Sequence, residues 1–398
     1  MNKFSKNAYF LLSCLAINAI TNIFIYTYLL AFIINVSSNN VTNVAIFYLA
    51  LHISMTAFSW IMAPFFKKFK KTLALKMGFI SKFLFVLIIV LFQNSILKLV
   101  YLIAFFNAFA EIMFWGGVNP LQAEIGKESN LGLFMSFSKV ITVITNFVIP
   151  VIMGYFIDKN GLSIIAIAML ICVVIQTTLS MFIKEDKPVS NTKLKYKEFL
   201  QDAKTSDVKI KPIYFNQLLF GICSNMSTLI LYYTVITFGS NLSIGIFSSI
   251  ATIFSVIILA LYNWKKDVFS NIKTFITYGI FVAIAIILII LNLNKITLII
   301  FYVVWNISII VPEILTSTQR LIIIKNKSLE NYNIENITIS ETYLNIGRIT
   351  GEVIILLMAI INSAVFNIIS LSVISVIVFI YFIHTNLINK SKTNLTTT

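Results

Sequence analysis

The chain has 398 residues, 59% of them hydrophobic and only 11% charged, with a formal net charge of +15. Ordinary soluble domains are roughly a quarter charged, so a water-soluble globule is excluded, and lipid must be the solvent for much of this surface. The positive balance comes from 28 lysines and two arginines. Most of the lysines lie in short loops between apolar runs, which is a membrane-orientation pattern and not a phosphate-binding face, so no nucleic-acid partner is expected.

An apolar helix needs about 20 residues to cross the hydrocarbon. The first candidate, 8–34, follows Lys3 and Lys6 but is too long for a secretory signal and has no small-residue cleavage pattern. Eleven more follow at 43–64, 74–93, 97–118, 133–157, 161–183, 213–237, 243–263, 274–293, 296–316, 340–361 and 364–384. The runs are continuous, whereas membrane barrels need short alternating segments, so the spans read as helices.

Between spans 6 and 7, the stretch from Lys184 to Lys211 mixes lysines with Glu185, Asp186, Glu198, Asp202 and Asp207. It reads as a solvated cytoplasmic linker with room for a short surface helix. Ser317–Ile337 reads as the other sizeable cytoplasmic loop. With both termini in the cytoplasm, that side carries about 24 Lys/Arg, against Lys98, Lys159 and Lys295 opposite; the excess marks the cytoplasmic face.

The two sides of the linker echo each other. Asn18, Thr21, Tyr26 and Thr27 recur with the same spacing as Asn225, Thr228, Tyr233 and Thr234. Asn40-Val41-Thr42 leading to Ile46-Phe47 is answered by Asn241-Leu242-Ser243 leading to Ile246-Phe247, and Phe106-Asn107 by Trp305-Asn306. A duplicated block of membrane helices is the build of many secondary transporters, whose substrate site lies between the repeats. The expected fold is therefore an all-α integral membrane protein of twelve transmembrane helices in two pseudo-symmetric six-helix halves. Residues 1–184 form one half, 185–212 the linker and 213–398 the other half.

Enzyme chemistry has no foothold here. No glycine-rich loop ends in Gly-Lys-Ser/Thr, and His52 and His384 are far apart. Cys14, Cys172 and Cys223 are scattered through apolar segments. Neither a cofactor nor a metal site is expected.

A charge near the bilayer centre costs on the order of 3 kcal/mol, so such residues usually face a cavity or a partner. Glu111 lies mid-span in the fourth helix, as a proton or substrate-cation site or as a neutral carboxyl bonding a neighbouring helix. Arg348 and Glu352, one turn apart in the eleventh span, can meet as a neutralised pair or as a gating pair in which Glu352 titrates. Lys139 in the fifth span aligns with Asn345 in the repeat and either reaches the cavity or snorkels to the cytoplasmic face. Lys82 reads as a snorkelling or pairing residue, and Glu313 and Glu341 as exposed near span ends. His52 reads as a neutral hydrogen-bonding partner or a titrating group.

Asn18, Thr21, Asn22 and Tyr26 fall mostly on one side of the first helix, and Asn225, Thr228, Tyr232 and Tyr233 do so on the seventh. With Asn107, Trp115, Trp305 and Asn306 they are candidates to line a cavity for an amphipathic substrate. The alternative is interhelical packing by small polar groups.

Twelve spans in a six-plus-six repeat, a charged central loop, and basic loops after spans 2 and 8 together resemble the major facilitator superfamily over essentially the whole chain. That family's loop after span 2 reads Gly-x-x-x-Asp-Arg/Lys-x-Gly-Arg/Lys-Arg/Lys. Here Ala63-Pro64-Phe65-Phe66-Lys67-Lys68-Phe69-Lys70-Lys71 keeps the cations without the acid or the glycines. Of the Gly-Pro-x-x-Gly-Gly bend found in the family's drug–proton antiporters, Pro150 and Gly154 remain, and the span 4 arginine of those antiporters is absent. Phe114-Trp115-Gly116-Gly117-Val118-Asn119-Pro120 is similar to a Phe-Trp-x-x-x-Asn run of some bacterial members.

The resemblance implies a monomeric, proton-coupled secondary transporter with a small-molecule substrate, most simply an exporter of an amphipathic compound. Uptake by the same architecture and a non-transporting sensor or immunity protein stand as alternatives. Low arginine with abundant Lys, Asn and Ile points to an A+T-rich bacterial genome, and so to a bacterial cytoplasmic membrane.

Overall fold

The computed structural model describes residues 5–128, 131–184, 193–206, 209–269, 271–325 and 329–396, and among them there is helix and no strand. That is the outcome lipid demands, since an α-helix satisfies its own backbone N–H and C=O groups where no water can. Among the described residues, eleven helices are long and apolar enough to cross a membrane. One of them, Lys71–Gln122, is 52 residues long. It is two spans run together through a tight 3₁₀ turn at Gln93–Leu99, where Ser95 leaves the helical region (φ −113°, ψ 16°). Divided there, the eleven become the twelve expected spans.

The spans are, in order, Lys6–Val36, Thr42–Lys68, Lys71–Phe92, Val100–Glu128, Leu131–Asn160 and Leu162–Met181, then Ile210–Phe238, Asn241–Trp264, Ile272–Leu291, Lys295–Lys325, Asn333–Ile361 and Ala364–Thr396. Local chemistry sets several of their ends. Ser5 caps the first by accepting from the Ala8 amide, and Asn362, left-handed at φ 47°, stops the eleventh. The first span widens into a π-helical turn at Phe24–Leu29.

The stretch from Ser317 to Ile337, expected as a loop, is instead mostly helix. The tenth span continues to Lys325 and the eleventh begins at Asn333, with a 3₁₀ turn at Glu330–Tyr332. Hydropathy marks the edge of the hydrocarbon, whereas each helix runs on past that edge before it ends. The polar residues are held by protein: Arg320 pairs with Glu341 at 2.7 Å, and Gln319 donates to the Thr385 carbonyl at 3.1 Å. Glu341 is accordingly partly buried in an ion pair, while Glu313 is exposed as expected.

The chain resolves into two compact units. The first comprises Met1–Lys193 with Phe238–Thr252, and the second Leu194–Thr237 with Ile253–Thr398. The opening turns of the eighth span thus pack with the first unit, although the repeat assigns them to the second half of the sequence.

Within the second unit the linker contributes a helix, Tyr196–Thr205. Its Phe199 is fully buried against Ile210, Ile213, Tyr214, Ile323, Leu329 and Ile388. Lys195 N–H donates to the Glu335 carboxylate at 2.8 Å, and the Tyr332 hydroxyl to Asp202 at 2.7 Å. The Asp202 carboxylate, which needs that proton as its donor, pushes the Tyr332 phenol up to about 12. The linker expectation also took in residues 185–192 and 207–208, which lie outside the described residues.

Candidate functional site

In the first unit, polar side chains from the first, third and fourth spans converge on one ammonium. Lys82 stands at the middle of the third span, Lys71–Phe92, and is 1% exposed. Its Nζ lies 2.6 Å from Asn18 Oδ1, 2.8 Å from Asn22 Oδ1 and 3.4 Å from Glu111 Oε1. An ammonium has three donors, and here three oxygens meet them. The Phe114 ring lies beside it, its centroid 5.9 Å from Nζ.

Helical spacing explains the grouping. Asn18, Thr21 and Asn22 project from one face of the first span, and the Thr21 hydroxyl turns back to the Asn18 carbonyl at 3.0 Å. Ser81, next to the lysine, donates to the Phe106 carbonyl at 2.7 Å and ties the third span to the fourth. Glu111 is buried, and its other oxygen accepts from Trp115 Nε1 at 3.0 Å, an i, i+4 bond along the fourth span. One turn earlier, Asn107 Nδ2 donates to the Tyr26 hydroxyl at 3.0 Å, while the buried Asn107 Oδ1 has no partner. Tyr26 stacks on Tyr48 (centroids 6.4 Å, planes 8° apart), and Tyr48 on His52 (5.7 Å, 13°). Trp115 is 42% exposed, so the cluster reaches the protein surface through an indole.

The second unit builds a different cluster at the repeat-related positions. The seventh span breaks at Asn225, between Ile210–Ser224 and Met226–Phe238. Asn225 Nδ2 donates to the Arg348 carbonyl at 2.6 Å. Thr228 donates its hydroxyl to Glu352 Oε1 at 2.7 Å. Glu352 is fully buried, and its Oε2 has no partner. Glycine makes this approach possible: a Cβ on Gly221 would run into the Leu344 carbonyl, and one on Gly347 into the Leu218 carbonyl.

Arg348 and Glu352 do not pair. Arg348 Nη1 reaches Asn345 Oδ1 at 3.3 Å, one turn the other way, and Glu352 takes Thr228 across the helix contact. The i, i+4 spacing allowed the pair, but a hydroxyl from the seventh span lies closer to the carboxyl. Lys139 is exposed on the fifth span and outside both clusters. Tyr232 and Tyr233 pack on each other at 5.4 Å. Tyr233 also lines a small apolar void with Met226, Leu229, Ile286, Ile289, Phe301 and Leu371. Trp305 is buried, and Asn306 bonds back to its own helix at the Tyr302 carbonyl (2.8 Å).

Sequence reasoning undervalued Lys82. The available signal was its depth, since a lysine at the midpoint of a 22-residue helix is too far from either interface to snorkel. It also missed Asn216, which joins Thr316, Gln319, His384 and Thr385 in a buried knot of bonds of 3.0–3.1 Å. That network, with each side-chain atom of Asn216 engaged, reads as structural.

A lysine–carboxylate pair enclosed in a helical membrane bundle fits a transporter, and the comparisons agree. The model of the Major Facilitator Superfamily matches residues 9–323. The chain belongs to that superfamily. No curated protein matches it. Solved structures similar to it share the fold at low identity. A POT family transporter in complex with 5-aminolevulinic acid has a TM-score of 0.70 at 11% identity, with 96% of each chain covered. A bacterial homologue of the iron transporter ferroportin, inward-facing, has a TM-score of 0.64 at 13% identity, covering 95% of this chain and 98% of that one. The nucleoside transporter NupG also gives 0.64 at 13%, covering 96% and 99%. This superfamily member is a multi-pass membrane transporter and not an enzyme.

Proposed function

We propose that the protein is a proton-coupled secondary transporter working by alternating access, which exports a small amphipathic molecule across a bacterial cytoplasmic membrane. It acts as a monomer with both termini in the cytoplasm. The observation that carries the reading is the enclosed Lys82–Glu111 pair, with its amide cage from Asn18 and Asn22. A buried carboxylate that shares an ammonium with two neutral amides can give up its share on protonation, because Asn18 and Asn22 still hold the lysine. Proton arrival at Glu111 then changes the charge of the cluster without dismantling it.

Glu352, with Thr228 on one oxygen, is the second carboxyl available for coupling. Tyr26, Asn107 and Trp115 in the first unit, and separately Thr228, Tyr232 and Tyr233 in the second, each mix apolar rings with hydrogen-bonding edges of the kind that suit an amphipathic solute. The Pro150 and Gly154 remnant of the antiporter bend supports export. One proton moving across 100 mV supplies about 2.3 kcal/mol, enough for roughly a fiftyfold gradient of a neutral solute.

The test is reconstitution in liposomes, with metabolites of cells that carry or lack the gene compared first to find the substrate. Glu111→Gln is expected to abolish transport driven by an imposed pH gradient. Full proton-driven flux in that variant removes Glu111 from the mechanism, and flux only toward the cytoplasmic face reverses the direction proposed.

A further inference from the structure

The fifth span and the start of the eighth, both in the first unit, are joined along an antiparallel seam whose outermost bond is a single carboxylate. Asp158 Oδ1 accepts from the Asn241 backbone N–H at 2.9 Å and from Asn241 Nδ2 at 2.8 Å, and Oδ2 accepts from the Leu242 N–H at 2.9 Å. The first amides of any helix lack intrahelical partners and are normally capped by the chain just before them. Here the local cap does only part of that work. Ser240 Oγ takes the Ser243 amide at 3.2 Å, while the two amides before it are capped from another helix. Negative charge at a helix N-terminus is further favoured by the helix dipole.

Deeper along the seam the contacts come at helical intervals and use backbone carbonyls. A Cβ on Gly154 would run into the Asn241 carbonyl, and one on Gly245 into the Pro150 carbonyl. The Tyr28 hydroxyl donates to that same Pro150 carbonyl. Ser249 donates to the Phe147 carbonyl at 2.6 Å, and Thr252 to the Asn146 carbonyl at 3.4 Å. Small residues and single hydroxyl bonds let two helices lie close with few interlocking side chains to disentangle. The Asp158 bonds lie at an exposed rim, where water can replace each one as it breaks.

We propose that Asp158 is the positioning residue that latches this seam, holding the eighth span against the fifth on the extracytoplasmic side, and that the seam parts when the transporter opens outward. The side assigned to the latch rests on the orientation adopted under the proposed function. Asp158 is neither a substrate ligand nor a coupling group in this account. Its three bonds set how much of the time the seam stays shut.

The test uses the full chain in cells, with Cys14, Cys172 and Cys223 replaced by alanine and a reporter introduced as Ile244→Cys. Ile244 is 2% exposed, in the first turn of the eighth span. The probe is a membrane-impermeant maleimide added outside, read as a labelling rate and accompanied by a melting curve for each variant. Asp158→Ala should raise the labelling rate about tenfold, the shift expected for losing on the order of 1.4 kcal/mol of latch. Asn241→Ala, which loses only the side-chain bond, should raise it less. Asp158→Asn keeps the size of the residue but offers one acceptor, and should fall between them; it is the variant to read if Asp158→Ala does not fold. Unchanged labelling in folded Asp158→Asn overturns the latch. An increase seen only in inside-out vesicles keeps the latch but overturns the orientation, which separates failure of this inference from failure of the proposed function.

Discussion

The cluster around Lys82 and the cluster around Glu352 share repeat-related residues on the first and seventh spans, yet they handle buried charge in opposite ways. In the first, Asn18 accepts from a lysine that is also paired with Glu111. In the second, Thr228, the counterpart of Thr21, donates to a carboxyl that has no cation beside it among the described residues. One duplicated helix thus serves a buried ion pair in one unit and a lone acid in the other. The repeat keeps the polar positions on these two helices and lets the charge around them diverge, so the two halves of this transporter are not interchangeable chemically.

The comparison predicts unequal responses to mutation. The largest should come from Lys82→Met, which strands Glu111 without its cation and should cost about 3–5 kcal/mol, read as a lowered melting temperature in detergent. Adding Glu111→Gln to that variant should recover most of the loss, because no unpaired charge then remains. Gly347→Ala, which drives a methyl group into the Leu218 carbonyl, should cost about 1–3 kcal/mol as overpacking. Glu352→Gln breaks no ion pair and should stay within about 1 kcal/mol of the parent, the scale of one hydrogen bond. A melting shift for it as large as that of Lys82→Met would erase the contrast between the clusters. Smallest of all, Arg348→Gln removes one long bond to Asn345 and should change stability by about 0.5 kcal/mol, the low end for a hydrogen bond.

Much of the fold could be read in advance because hydropathy over 20 residues is a strong local signal. All twelve spans lie where continuous apolar runs put them, and the first and seventh carry their polar residues at matching spacing. The fourth, tenth, eleventh and twelfth spans outran their expected ends because hydropathy measures the bilayer and not the helix. Contacts between helices were less legible. Nothing in 71–92 says which way Lys82 faces, so its partners on the first and fourth spans appear only once three helices are packed. Asp158 hid for a related reason: an acid near a span end reads as solvated until another helix begins beside it. The Arg348–Glu352 spacing showed what one helix permits, and the choice was made by Thr228 on another.

The π-turn at Phe24–Leu29 has a consequence for how the two repeats can be aligned. A wide turn holds one more residue than an ordinary one, so every side chain beyond it is rotated by about 100° from where a regular helix would carry it. The seventh span has its break earlier, at Asn225, the counterpart of Asn18, and runs as regular helix through the residues that match Phe24–Leu29. Tyr26 and Tyr233 therefore match letter for letter while being delivered by unlike stretches of backbone. Shortening the first span by one residue inside Phe24–Leu29 would restore regular winding and leave both flanks in phase, whereas the same deletion elsewhere in the helix would turn one end against the other.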